Sequence, residues 1–132
     1  MNKFFLLVIS FVLVLTSCSD ETIPPKDLIG NWNWIISSGG IAGTTYTPEI
    51  TGETIVLEFT SDSMYKQYRN DSLIANCEFS IIQSESIYNH EITNMIECDC
   101  SLIRSFSFNA DGNLILADEV YDGFISQYER IE

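Results

Sequence analysis

Leu28-Ile29-Gly30-Asn31-Trp32-Asn33-Trp34-Ile35-Ile36 is the stretch that decides the fold. Its period is two. Leu28, Trp32, Trp34 and Ile36 fall on one side and Asn31 and Asn33 on the other, as in a half-buried strand. The alternation recurs downstream. Glu53 to Thr60 sets Ile55, Leu57 and Phe59 against Thr54, Val56 and Glu58, and Met64 to Arg69 places Met64 and Tyr68 on one face. Leu73 to Gln83 carries Cys77, Phe79 and Ile81, and Leu102 to Phe108 alternates through Leu102, Arg104, Phe106 and Phe108. Leu114 to Ala117 and Phe124 to Glu132 complete the series.

Turn residues punctuate these runs at Ser61-Asp62, Asn70-Asp71, Asn109-Ala110-Asp111-Gly112-Asn113 and Asp122-Gly123. The Asp-Gly steps supply the positive φ that hairpins need. Ser37 to Pro48 is rich in Gly and Thr and reads as a loop with room for a short irregular strand. Ser84 to His90 has no clear period. Glu91 to Glu97, with Ile92, Met95 and Ile96, suits one helical turn as well as a strand. No long amphipathic helix, heptad or internal repeat is present. About eight strands joined by short turns predict an all-β domain, a small antiparallel up-and-down barrel whose closure removes exposed edges. A two-sheet sandwich is the competing arrangement, because local patterning does not show whether the first and last strands pair.

The N-terminus carries an address. Met1 to Lys3 supply positive charge, Phe4 to Leu15 are almost continuously apolar, and Leu15-Thr16-Ser17-Cys18 follows. The order is that of a secretory signal, and its end resembles the lipobox of bacterial lipoproteins. A membrane span needs about 20 apolar residues, and this run has about a dozen. The resemblance implies removal of residues 1–17 as a signal peptide and lipid on the Cys18 sulfur. Residues 18–27 then form an acidic, Pro24-Pro25-containing tether, and residues 28–132 form the domain. Ser19-Asp20-Glu21 is similar to the export signal of surface lipoproteins in the Bacteroidetes, although a solvated linker explains it equally well. The expected location is the cell envelope, lipid-anchored in the outer membrane and possible at the surface.

The whole chain has 132 residues and a formal net charge of -13. Every acidic residue follows Cys18, so the processed protein is strongly acidic. Lys26, Lys66, Arg69, Arg104 and Arg130 are spread singly, which argues against nucleic acid as a partner. From Cys18 onward about 115 residues remain, enough for one domain with a modest core.

With Cys18 lipidated, Cys77, Cys98 and Cys100 remain as disulfide candidates. Cys98 and Cys100 stand two apart, so in a strand both point to the same face and compete for Cys77. Either bridge closes a loop of about 20 residues, worth about 3 kcal/mol in the chain-entropy model. A zinc site from these cysteines and His90 lacks paired C-x-x-C spacing, so structural cysteines are expected and no metal or cofactor.

Asp27-Leu28-Ile29-Gly30-Asn31-Trp32 resembles the Gly-x-Trp opening of the lipocalins, with Gly30 and Trp32 in the motif positions. Tyr128-Glu129-Arg130 is similar to a last strand whose arginine packs across that tryptophan. With the lipoprotein signal, the chain resembles the lipocalin-like lipoproteins of Bacteroidetes. That resemblance implies a barrel binding a small apolar or amphipathic ligand, with Trp34, Phe59, Phe106 and Phe108 as candidate lining residues. The chain is shorter than a typical lipocalin and has no clear C-terminal helix, so these aromatics equally fill a solid barrel.

No catalytic constellation is evident, and an enzyme is not expected. His90 is the single histidine, and no Gly-x-Ser-x-Gly, P-loop or His-Glu-x-x-His motif occurs. Asp111, Asp118, Glu119 and Asp122 lack EF-hand spacing and are expected to polarise turns rather than hold calcium. Two function classes follow: a membrane-anchored ligand-binding barrel, or a solid barrel serving as a protein-interaction, inhibitor or structural module with an envelope protein partner.

Overall fold

A computed structural model describes Pro25 and residues 27–132. The expected signal peptide, Cys18 and most of the tether lie outside the described residues. The elements run β1 (Gly30–Gly39), β2 (Thr44–Tyr46), α1 (Pro48–Thr51), β3 (Ile55–Phe59), β4 (Met64–Arg69), β5 (Ser72–Glu85), β6 (Ile92–Cys98), β7 (Arg104–Phe108), β8 (Leu114–Asp118) and β9 (Phe124–Ile131). Consecutive strands pair antiparallel from β3 to β9, and β1 pairs with both β3 and β9. The result is a closed up-and-down barrel of eight strands with β2 as an extra strand beside β1. Closure rests on a long ladder from Asn31↔Ile131 to Gly39↔Phe124, so the chain is a barrel and not a two-sheet sandwich.

Turn chemistry sets the hairpins. Asn70 and Asp71, at φ 49° and 64°, make the two-residue link between Arg69 and its partner Ser72. Between β7 and β8, Asn109 Oδ1 accepts from the backbone N–H of Asp111 and Asn113, both at 3.0 Å, while Gly112 takes φ 79°. The Gly- and Thr-rich loop after β1 is more ordered than its composition suggests. It holds β2 and the single-turn α1, whose N-cap Thr47 accepts from Ile50 N–H.

One face of each strand fills the barrel. Leu28, Trp32, Trp34, Leu57, Phe59, Tyr65, Phe79, Ile96, Leu114, Leu116 and Tyr128 form a continuous buried cluster. Burying a large apolar side chain fully is worth about 1.5–3 kcal/mol, so this cluster dominates the fold's stability. Phe59 meets Tyr65 and Phe79, each at 5.3 Å between ring centroids. The inward alternation of β1 breaks at a bulge between Trp34 and Ile36. The extra residue inverts the faces beyond it. Ser37 therefore takes the inward place beside Trp34 that simple alternation assigns to Ile36, and it bonds inward-facing Ser126 at 2.6 Å.

The weakest join is β6–β7, where Met95↔Ser105 and Ile96↔Arg104 are the pairs in register. The β5–β6 turn docks onto the β8–β9 turn across this join. Glu119 accepts from Ser86 Oγ at 3.1 and 3.2 Å and from Ile87 N–H at 2.9 Å, and Tyr88 Oη donates to Asp118 O at 2.6 Å. Met95, on the face opposite Ile96, is buried outside the interior cluster.

Candidate functional site

β1 links two chemically different barrel ends. At its start, Gly30, Trp32 and Arg130 are brought together. The Arg130 guanidinium lies 4.3 Å from the centroid of the fully buried Trp32 ring. It donates to Ile29 O at 2.8 Å and to Asp27 O, while Trp32 Nε1 donates to Leu28 O at 2.9 Å. Gly30 has φ 138°, and a Cβ there would stand 2.6 Å from Arg130 Nη1. This end is plugged: Leu28 is fully buried and Phe108 packs on Trp32 at 5.8 Å between centroids.

At the far end of β1 the barrel mouth opens into a cleft of about 330 Å³ lined by Trp34, Ser37, Tyr46, Thr51, Glu53 and Phe124. Trp34 forms its inner wall, 4% exposed, with Nε1 donating to Ser37 Oγ at 2.8 Å. Tyr46 and Phe124 stand 5.9 Å apart between ring centroids. The turns after β1 and before β9 are tied by Gly40 N–H donating to Gly123 O, which holds Phe124 at the rim. Glu53 brings one carboxylate, 3.8 Å from Arg69 Nε. The cleft is thus a wide, open depression with aromatic walls, a hydroxyl on its inner side and an acidic edge.

Of the four aromatics that the sequence singles out as lining candidates, Trp34 alone borders this cleft. Phe59 is 1% exposed in the filled interior, Phe106 packs on the interior cluster, and Phe108 sits against Trp32 at the plugged end. Tyr46, Thr51, Glu53 and Phe124 were not signalled by the sequence. They arrive from the β2–α1 excursion and the last hairpin, which only barrel closure brings together.

The cysteines gather at the end of β6. Phe79↔Cys98 is the last pair of the β5–β6 ladder, and its register extended by two residues sets Cys77 opposite Cys100. These two form the disulfide, with Cα atoms 6.2 Å apart, and Cys98 is a free, buried thiol. Cys77, Cys98 and Cys100 are the group with metal-compatible spacing among the described residues. His90 stands apart from them, exposed, with Nδ1 2.9 Å from Glu85.

Arg104 points into the barrel beside Ile96 and is 9% exposed. Among the described residues no carboxylate pairs with it. Its Nη2 donates to Ser101 Oγ at 3.3 Å, its guanidinium lies 5.4 Å from the Tyr65 ring centroid, and its Nε has no partner. Burial opposes its charge, but Tyr65, Tyr128 and Cys98 outweigh that and its pKa lies above the ordinary arginine value. Burial pushes the Tyr128 phenol up to about 12, partly offset by Arg104, and raises Tyr65 for the same reason.

Compared with known proteins, the chain matches no family model, no curated protein and no solved structure.

Proposed function

We propose that this chain is a lipocalin-like lipoprotein of the cell envelope whose barrel binds a small, flat apolar ligand in the mouth cleft. The observation that carries the reading is the aromatic cleft of about 330 Å³ beside Trp34, at the lower end of the volumes that hold small molecules. The filled interior limits the ligand to one that lies in the mouth. The Glu53 carboxylate and the chain's net charge of -13 favour an uncharged or cationic ligand over an anionic one. The Leu15-Thr16-Ser17-Cys18 ending supports lipidation of Cys18 and membrane attachment. The Gly30–Trp32–Arg130 cluster supports the lipocalin-like reading.

A second reading, a solid barrel acting as an interaction module, draws support from Ile41, Ile50 and Tyr121. These are 91%, 67% and 87% exposed on segments that frame the mouth. Titration with the neutral fluorophore N-phenyl-1-naphthylamine separates the two. Ligand binding predicts saturable fluorescence enhancement, quenching of Trp34, and loss of both in Phe124→Ala, with Phe108→Ala as a control that keeps binding. Absence of saturable binding in the folded parent protein rejects the cleft and leaves the interaction module.

A further inference from the structure

The sulfurs of Cys77, Cys98 and Cys100 all lie within 4.8 Å of one another, although two are bridged and one is free. Their exposures differ in a useful way. Cys98 is buried, Cys77 half-buried and Cys100 exposed. The free thiol is therefore the inaccessible one, and the accessible sulfur is held in the bridge. Cys98 Sγ lies 2.9 Å from Ser101 Oγ, which receives a hydrogen bond from buried Arg104. The thiol on the inner face thus touches a hydroxyl that a buried guanidinium polarises.

We propose that these three residues form a thiol–disulfide exchange site in which Cys98 displaces Cys100 from Cys77. In the exchange, the deprotonated Cys98 Sγ forms a bond to Cys77 Sγ while the Cys77–Cys100 bond breaks. The electron pair leaves on Cys100 Sγ, which takes up the proton that Cys98 gave up. One disulfide and one thiol stand on each side, so no external oxidant or reductant is consumed. Attack at Cys77 is the productive direction. It recloses β5 onto the end of β6 and releases the exposed sulfur, whereas attack at Cys100 would join the last residue of β6 to a turn residue two positions on and leave β5 untied. Exchange converts an inert buried thiol into a surface thiol able to form a mixed disulfide with a second molecule. Glu78, Glu97 and Asp99 line the cleft of about 230 Å³ that adjoins Cys98. The partner that fits is a cationic or neutral disulfide rather than an anionic one: Cys100 Sγ bonds to one of its sulfurs, the partner's S–S bond breaks, and the other sulfur leaves as a thiol with the proton that Cys100 gives up.

Maleimide labelling of the native, intact protein without reductant, followed by peptide mapping of positions 77, 98 and 100, tests the exchange. Label is expected on Cys100, accumulating faster than on Cys98, and is expected to vanish from Cys100 in Cys98→Ser. Label confined to Cys98, no label at any of the three, or Cys100 label that persists in Cys98→Ser overturns the proposal. The oxidised Cys100→Ser variant supplies an independent check. A Cys77–Cys98 bridge leaves it no free thiol at these positions, whereas two free thiols mean that Cys98 does not reach Cys77. For the partner class, cystamine is expected to modify Cys100 faster than glutathione disulfide does; the reverse order overturns the cationic preference.

Discussion

At position 30 a methyl group would stand 2.6 Å from Arg130 Nη1, on a backbone whose φ of 138° already disfavours any L side chain. The glycine, the buried Trp32 and the arginine above it are therefore one unit. The guanidinium over the indole is worth about 0.5–2 kcal/mol. Its hydrogen bonds to Ile29 O and Asp27 O pin the entering chain to the last strand. Arg130→Ala is expected to cost about 1–3 kcal/mol by denaturant midpoint, summing that contact with the lost charge-assisted bonds. Trp32 emission should shift with it. A variant as stable as the parent, with unchanged emission, would show that this contact does not hold the barrel shut. Tyr128 offers a second test at this scale. Its phenol is pushed up to about 12 against an ordinary value near 10. The raised folded value means that its contribution is fully present below pH 10 and is lost as pH rises from 10 to about 12. The span is about 2–3 kcal/mol at 1.36 kcal/mol per unit. Alkaline titration of phenolate absorbance should find a late-titrating tyrosine that disappears in Tyr128→Phe. Titration of every tyrosine near the ordinary value would contradict its burial.

Docking of the β5–β6 turn carries the element-scale prediction, because the β6–β7 ladder beneath it is short. Glu119 accepts from Ser86 Oγ and Ile87 N–H, so Glu119→Ala removes the anchor while leaving every ladder intact. Amide exchange at residues 84–94 should accelerate and global stability fall by about 1–3 kcal/mol. Unchanged exchange there would mean that the Tyr88 hydrogen bond to Asp118 O and the packing of Met95 hold the hairpin without Glu119. The same docking explains what was legible in the sequence. β3, with one wet face, read cleanly as alternation, and the Asn-Asp and Asp-Gly turns marked hairpin ends. In β4 the reading picked out Met64 and Tyr68, which share the outer face with Lys66, while the fully buried residue is Tyr65. β6 read as helix or strand because Met95 and Ile96 are neighbours and both buried, which happens when each face of a strand is covered. The bulge at Ile35 left no mark in composition, so Ile36 was assigned to the wrong face. Of the cleft, only Trp34 could be read locally. Tyr46, Glu53 and Phe124 lie in segments whose meeting depends on closure between the first and last strands.

For the whole molecule, charge is the unbalanced quantity, and it bears on both stability and ligand choice. The net charge is -13, and the described cations are already engaged. Lys66 sits 3.2 Å from Glu58 and Arg69 lies 3.8 Å from Glu53, while Arg104 faces tyrosines and Arg130 caps Trp32. Surface pairs of this kind contribute about 0–1 kcal/mol each, too little to offset mutual repulsion of the remaining carboxylates. Sodium chloride should therefore stabilise the fold. Between about 0.01 M and 0.15 M the screening length falls from about 30 Å to about 8 Å, and the melting temperature should rise across that interval. A flat or falling melting temperature would mean that the carboxylates lie too far apart to repel. The same titration probes the mouth. A neutral ligand held by Trp34, Tyr46 and Phe124 should bind equally well throughout, because aromatic contact is insensitive to screening. A cationic analogue should lose affinity as salt rises, in proportion to the pull of Glu53 and the surrounding field. Equal salt dependence for both would place the binding outside the acidic edge of the cleft.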